Sequence, residues 1–186
     1  MERKVVLIGS SNVGKSCLFD RIQKGNYNPN IKPTLGGEVT RIEFVDKGEI
    51  HHYSFWDTAG SEKFQSLAPM YFRESVCVVI VFSYDSVLSM NELGKWVNRV
   101  NEDCGSNPKI IVVANKSDLH DKAISDEEAE NAARRFTDVF FSVSALNGNN
   151  IDLLKKRIQE YIVIAKKQSP AEIDLNINYE KKNSCC

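Results

Sequence analysis

The stretch "VVLIGSSNVGKS", residues 5–16, joins a short apolar run to a glycine-containing loop and decides the fold class of this chain. Residues 5–8 are rich in β-branched side chains, as in a strand buried on both faces. Residues 9–16 fit the pattern G-x-x-x-x-G-K-S, whose backbone N–H groups cradle phosphates. The stretch therefore predicts a strand, a phosphate-binding loop and a helix. The predicted contacts come from Ser11, Asn12, Val13, Gly14, Lys15, Ser16 and Cys17, with Ser16 also a ligand for Mg²⁺.

Two further apolar runs, "VCVVIVF" at 76–82 and "IIVVA" at 110–114, have the same β-branched character and length. Helical patterns separate and follow them. One continuous pattern runs from Val87 to Val100, a second begins with Ser125 and Glu128 in capping-box spacing, and a third covers residues 149–167. Strands that alternate with helices predict an α/β domain with a mostly parallel sheet.

Residues 38–56 differ, because they form two strand patterns around "DKGE", a hairpin turn signal. This pair predicts an antiparallel edge. His51 and His52 lie there as neighbours and point to opposite faces of a strand, so they cannot chelate one ion together. A surface position is expected for both.

Length and composition favour a single domain at residues 1–167, followed by a polar tail at 168–186 without periodicity, which is expected to be disordered. The net charge of −1 gives no reason to expect a nucleic-acid partner. The five cysteines have no metal-ligand spacing and are expected to be reduced thiols of a cytoplasmic protein. No apolar run is long enough to span a bilayer, so membrane contact would require an added group.

The tetrapeptide "NKSD", residues 115–118, selects among phosphate-binding enzymes because it follows the third buried strand. Asp118 can accept hydrogen bonds from N1–H and the 2-amino group of guanine, whereas adenine has neither donor. "SAL", residues 144–146, would direct the Ala145 N–H towards the guanine oxygen. Guanine binding is therefore predicted at Asn115, Lys116, Asp118, Ser144, Ala145 and Leu146.

With these motifs in order, the chain resembles the Ras-like small GTPases and, within them, the Rab branch. The resemblance rests on "GSSNVGKS", "PTLGGE", "WDTAGSEKF", "YFRES", "NKSD", "SAL" and the terminal "CC". It implies the P-loop GTPase fold, a six-stranded mostly parallel sheet with one antiparallel edge strand and about five helices. The implied ligands are Mg²⁺ and GTP or GDP.

The same resemblance implies roles for single residues. Thr34 would bind Mg²⁺ and the γ-phosphate, Asp57 would hold a Mg²⁺-bound water, and Gly60 would donate its N–H to the γ-phosphate. Tyr27 would pack against the guanine. Asn12 stands where relatives have glycine, and asparagine tolerates a positive φ better than most residues. Ile31 replaces a tyrosine that closes over the γ-phosphate in many relatives.

Ser61 is the departure that matters for hydrolysis, because relatives carry there a glutamine that orients the attacking water. Its hydroxyl lies about two covalent bonds nearer the backbone than a glutamine amide. The predicted catalytic set is Lys15, Thr34, Gly60 and Ser61, with low intrinsic activity. An activating protein that supplies a glutamine and an arginine would compensate.

The implied partners are effectors on a face formed by Val39, Trp56 and Tyr71, an exchange factor, an activating protein, and prenylation and membrane-extraction chaperones. Val39 replaces a phenylalanine of the Rab pattern. Cys185 and Cys186 resemble the double-cysteine ending that receives two geranylgeranyl groups, which would place a monomer on the cytosolic face of an endomembrane.

Three functions remain open at this point. The first is a Rab-like switch in vesicle trafficking that hydrolyses GTP slowly, and the second is a platform that stays bound to GTP with negligible turnover. The third, an ATP-dependent P-loop kinase, is disfavoured by "NKSD" and by the lack of a lid segment.

Overall fold

The computed structural model describes residues 3–31, 34, 37–58, 71–105 and 107–168 of the chain. They form one sheet with helices on both faces. In chain order the elements are β1 (Lys4–Ile8), α1 (Lys15–Lys24), β2 (Gly37–Asp46), β3 (Glu49–Thr58), β4 (Ser75–Ser83), α2 (Val87–Asn91), α3 (Leu93–Asp103), β5 (Lys109–Asn115), α4 (Asp126–Arg134), β6 (Phe140–Ser142) and α5 (Ile151–Gln168).

The six strands lie in the order β2-β3-β1-β4-β5-β6. Only the β2–β3 pair is antiparallel, and every other neighbouring pair is parallel. The prediction of a mostly parallel sheet with one antiparallel edge strand is confirmed. The parallel strands all end at one edge of the sheet, so the loops that follow them meet there.

The three apolar runs form the central strands because both of their faces are covered. In β1, Val5 and Leu7 pack on one side against α1 and α5, while Val6 and Ile8 pack on the other side against α3. All four side chains are at most 1% exposed. Burial on both faces explains why these runs are continuously apolar rather than alternating.

The hairpin prediction is confirmed, and its turn consists of Lys47 and Gly48 with φ of 49° and 83°. Two positive φ angles are typical of the tight turns that suit the twist of paired strands.

The surface position expected for His51 is wrong: its side chain is only 3% exposed. Its ring stacks on Phe44 with a centroid distance of 5.2 Å, and Phe44 in turn packs against the main core.

The helical pattern from Val87 to Val100 is divided into α2 and α3, which corrects the expectation of one continuous helix. The break lies at Glu92, which follows the last residue of α2 and precedes the first residue of α3. The capping box of α4 is confirmed, since the Ser125 and Glu128 side chains each bond the other's backbone N–H. The last helix, α5, includes Gln168, the first residue of the predicted tail.

Candidate nucleotide-binding site

The loop after β1 turns sharply under β4 and β5, and glycine is required at two of its positions. A Cβ on Gly9, which has φ of 140°, would lie 2.1 Å from the Val81 carbonyl oxygen. A Cβ on Gly14, with φ of 86°, would lie 2.5 Å from the Asn115 amide nitrogen. Asn12 has φ of 67°, which confirms that this position needs a positive φ. The loop therefore keeps its backbone close to neighbouring strands while Ser11 and Asn12 stay exposed.

Lys15, the first residue of α1, is folded back into this loop. Its ammonium group donates hydrogen bonds to the carbonyl oxygens of Gly9 at 2.9 Å and Ser10 at 2.7 Å, and the side chain is buried. Burial lowers the pKa of Lys15 to about 8, although the Asp57 carboxylate nearby favours the charged form. The positive charge is thus held in the concave face of the loop, where an anionic phosphate would stabilise it.

Three oxygen-bearing side chains converge beside Lys15, as the motifs predicted. The Ser16 hydroxyl donates to Asp57 Oδ2 at 2.5 Å, the Thr34 hydroxyl donates to the same oxygen at 3.0 Å, and the two hydroxyl oxygens are 2.8 Å apart. Burial raises the pKa of Asp57, while the hydrogen bonds from Ser16 and Thr34 and the charge of Lys15 oppose that shift. A strand end, a helix start and a loop thereby contribute to one polar cluster.

This cluster suits a magnesium ion. Asp57 is fully buried, and its Oδ1 has no hydrogen-bond partner among the residues that the structure describes. A buried carboxylate oxygen without a partner is costly unless a cation or water satisfies it. The donors are all oxygens, which Mg²⁺ prefers. The described residues therefore fit the metal ligands expected from the sequence, Ser16, Thr34 and Asp57.

The predicted base-recognition residues lie together at the other end of the loop. Asn115 donates to the Val13 carbonyl oxygen at 2.9 Å and accepts from the Ala145 N–H at 3.1 Å. It thereby joins the phosphate loop to "SAL", a segment 30 residues further along the chain. The Ala145 N–H was predicted to meet guanine; here it donates to Asn115 instead, and its contact with the base stays a prediction.

Asp118 is held by the buried hydroxyl of Ser144, which donates to its Oδ1. The Ser144 oxygen also accepts from the Asn147 N–H at 3.1 Å. This chain of hydrogen bonds sets the orientation of the carboxylate that was predicted to recognise guanine. Specificity in such a site depends on this orientation, because both oxygens must face the donors of the base.

Lys116 takes a positive φ of 64° and reaches across to Asp85, with 2.7 Å between Nζ and Oδ2. Partial burial works against ionisation of Asp85, but the hydrogen bonds from Lys116 and Ser83 outweigh it and hold the pKa of Asp85 below its usual value. This ion pair ties the "NKSD" turn to the loop after β4. Asp85 was not predicted from the sequence, because its partner is 31 residues away.

Arg21 is a second residue that sequence reasoning missed. From α1 it donates to the Ala145 carbonyl oxygen at 2.8 Å, and it also donates to that of Leu146. Leu146 itself is 52% exposed, with its side chain available to contact a base. No local pattern marks Arg21, since its partners lie 124 and 125 residues away.

A third missed contact supports the start of the phosphate loop. The Ser10 hydroxyl donates to a carboxylate oxygen of Glu92, and the Trp96 indole N–H lies 3.5 Å from the same hydroxyl oxygen. Ser10 was not among the site residues predicted from the sequence. Glu92 is also the residue at the break between α2 and α3, so the loop contacts the beginning of α3.

The three residues of the predicted effector face, Val39, Trp56 and Tyr71, lie near one another but are not all exposed. Val39 and Trp56 are opposite each other in the β2–β3 ladder, and Val39 is 51% exposed. The Trp56 ring meets Tyr71 edge to face at a centroid distance of 6.2 Å, and Lys4 Nζ lies 4.4 Å from a Trp56 ring centroid. The three predicted residues are therefore neighbours, although Tyr71 is only 8% exposed.

Cys17, in the first turn of α1, and Tyr27, after the end of α1, are half-buried and interact through their side chains, while the contact of Tyr27 with guanine stays a prediction. Burial raises the pKa of the Cys17 thiol. Gly60, Ser61, Cys185 and Cys186 lie outside the described residues, so their predicted roles stay predictions. None of the helices in the described part of the chain has the length and apolar character of a membrane span.

Comparison with known proteins decides the family. The model of the Ras family matches residues 4–163. The chain belongs to the Ras family, in its Rab branch. Human Ras-related protein Rab-22A is 31% identical, with 100% of this chain and 98% of the relative aligned. Human Rab-31 is 35% identical over 87% of this chain and 83% of its own, and yeast (Saccharomyces cerevisiae) SEC4 is 30% identical over 98% and 90%.

Proposed function

We propose that this Rab-branch protein is a switch that binds Mg²⁺ with GTP or GDP and acts in vesicle trafficking. The observation that supports it most strongly is the junction of the two halves of the site. The Asn115 amide contacts the phosphate loop at Val13, and the Asp118 carboxylate is oriented by Ser144 a few residues away. A phosphate cradle and a carboxylate suited to guanine are therefore parts of one hydrogen-bonded unit.

Binding and orientation of the nucleotide follow from the described residues. The loop N–H groups and the buried Lys15 ammonium would hold the phosphates, while Ser16, Thr34 and Asp57 would hold Mg²⁺. The bound ion would neutralise phosphate charge. Thr34, together with the predicted contact from Gly60, would order the surrounding loops only when a γ-phosphate is present, since GDP lacks that group.

The nucleotide carried by freshly purified protein tests this proposal. We expect GDP, or a mixture of GDP and GTP, as a slow switch would retain. Adenine nucleotide would contradict the proposal and revive the kinase alternative. GTP alone would favour the platform with negligible turnover, which Ser61 supports because its side chain is short.

The first catalytic prediction concerns Ser61→Gln. In Ras proteins the unassisted hydrolysis rate is on the order of 10⁻⁴ s⁻¹ and rises about 10⁵-fold with a partner's arginine. We expect the wild-type chain to be roughly tenfold slower than that unassisted rate, and Ser61→Gln to restore it, since a longer amide can hold the attacking water. Single-turnover hydrolysis of preloaded GTP, with exchange measured separately, gives both rates.

Ser66→Gln is the matched control for this experiment, because it places the same side chain five residues further along the same segment. It should leave the rate unchanged. Equal rates for wild type and Ser61→Gln would show that the serine is not limiting. A slow Ser61→Gln protein would instead indicate that Asn12 or Ile31 limits hydrolysis.

The second prediction concerns the terminal cysteines and the proposed endomembrane location. Two lipid groups give stable anchoring, whereas one gives only marginal binding. The double variant Cys185→Ser/Cys186→Ser should move the protein from membrane to soluble fractions in its native cell. Lys181→Ser/Lys182→Ser, which removes charge but keeps both thiols, should stay on membranes. Membrane retention of the cysteine variant would contradict the lipid anchor.

The proposed partners follow from the same family membership. Val39, Trp56 and Tyr71 form the proposed effector face, together with loops that an exchange factor and an activating protein would contact. The exposed Val39 replaces a ring by a smaller side chain, so effector choice is proposed to differ from that of relatives with phenylalanine there. Prenylation and membrane-extraction chaperones complete the proposed set.

A further inference from the structure

A groove of about 700 Å³ lies between the tip of the β2–β3 hairpin and the second half of α5. It is at the opposite end of the strands from the nucleotide site. Its lining includes Phe44, Val45, Gln159, Val163 and Ile164, together with the charged residues Asp46, Lys47, Lys156 and Glu160. On the face of β2 that is turned towards α5, Phe44 is half-buried, and on α5 Val163 is half-buried and Ile164 is 42% exposed. Partly exposed apolar side chains beside a concave surface indicate a binding region.

The groove is bordered by a strand edge. The strand β2 is outermost in the sheet order, and β3 occupies its other side. No strand in the described ranges pairs with the outer edge of β2. Such an edge offers N–H and C=O groups to an added strand, which is how many proteins bind extended peptides.

The C-terminal segment has a pattern that suits this edge. Apolar side chains occupy every second position at Ile173, Leu175, Ile177 and Tyr179, and polar residues stand between them. This alternation is typical of a strand with one buried face. It revises the expectation that the tail lacks periodicity.

The segment also begins within reach of the groove. Ile164 lies four residues before Gln168, the end of α5, which is about 6 Å along a helix axis. Pro170 cannot donate a helical hydrogen bond and disfavours helical geometry at the residue before it, so the chain is free to turn there. Residues 169–172 can extend over roughly 13 Å, enough to return along α5 to Ile164.

We propose that residues 173–179 dock in this groove as an extended strand along the outer edge of β2. The side chains of Ile173, Leu175, Ile177 and Tyr179 face the apolar part of the lining, at Phe44, Val163 and Ile164, and the intervening polar residues face solvent. The occupant is this chain's own tail, because it leaves α5 beside the groove and carries the required alternation.

Docking would shorten the distance between the domain and the lipid groups on Cys185 and Cys186. This consequence rests on the lipid attachment proposed above. All 18 residues from 169 to 186 could extend over about 60 Å, whereas the seven residues from 180 onward reach only about 25 Å. The docked tail would hold the hairpin side of the domain near the membrane. The docking itself requires no lipid.

Hydrogen–deuterium exchange on the full-length chain tests the proposal. Leu175→Asp/Ile177→Asp places two charges on the face that would be buried. Asn176→Asp/Asn178→Asp places the same charges on the opposite face and is the matched control. We expect amides in residues 42–46 and 159–164 to exchange about tenfold or more faster in the first variant than in wild type, and at the wild-type rate in the control.

Equal exchange in all three proteins would overturn the proposal. Protection that grows with protein concentration would also overturn it, because a second copy's tail would then fill the groove. GDP dissociation serves as the folding check and should be the same in all three, since the groove and the nucleotide site lie at opposite ends of the strands. This check depends on nucleotide binding alone and separates failure of the docking from failure of the proposed function.

Discussion

Asp118→Asn is expected to weaken GTP binding about 10⁴-fold and to strengthen binding of xanthosine triphosphate. The Ser144 hydroxyl can still donate to the amide oxygen, so the orientation of the side chain is retained. The amide NH₂ would then take the place of one carboxylate oxygen and face the 2-amino group of guanine, so that two donors meet. The same NH₂ can donate to the 2-oxo group of xanthine, which explains the opposite direction for the two nucleotides.

Competition titrations with GTP, xanthosine triphosphate and ATP measure this effect. Asp121→Asn is the matched control, because it makes the same chemical change at an exposed aspartate three residues along the chain. It should leave all three affinities unchanged. Wild-type protein that binds ATP as tightly as GTP would refute guanine recognition by Asp118.

Lys15→Met is expected to have opposite effects on nucleotide binding and on stability. Loss of a buried charge that contacts phosphate should lower GTP affinity roughly 10²- to 10³-fold. The free protein should become more stable at pH 7 by roughly 1–3 kcal/mol, because a buried ammonium group with a pKa of about 8 is unfavourable. The loss of two hydrogen bonds to loop carbonyls limits that gain.

The pH dependence of the stability of the folded protein has a sign that follows from the pKa of Lys15. The pKa of Lys15 is about 8 when folded and 10.5 ordinarily, so the unfolded chain binds the extra proton between these values. The destabilisation is therefore complete below pH 8 and is relieved as pH rises towards 10.5. Denaturant unfolding of nucleotide-free protein at pH 7 and pH 9.5 should show wild type gaining stability relative to Lys15→Met.

Nucleotide affinity should change in the opposite direction. The phosphates bind the protonated form of Lys15, so each pH unit above 8 should weaken GTP binding to wild type by about tenfold. Lys15→Met should lack this dependence. Parallel pH profiles for the two proteins would contradict the assignment of Lys15 as the titrating phosphate contact.

Sequence alone was sufficient for much of the fold because its signals are local. The β-branched runs of β1, β4 and β5, the capping box of Ser125 and Glu128, and the turn at Lys47 and Gly48 each depend on neighbours a few residues away. The motifs "GSSNVGKS", "NKSD" and "SAL", in this order along the chain, then predicted the phosphate loop and the guanine contacts. These features could be predicted because periodicity and turn chemistry are properties of short segments.

Tertiary structure decided what depends on distant residues. His51 is buried in contact with Phe44, on which its ring stacks, and the apolar spacing does not show the break between α2 and α3 at Glu92. The bonds of Arg21 to the "SAL" segment span more than 100 residues. Hydrogen bonds form wherever folding brings donor and acceptor within about 3 Å. The sequence by itself thus predicted which residues would meet the nucleotide, and the packing of the sheet decided which other residues hold these side chains in place.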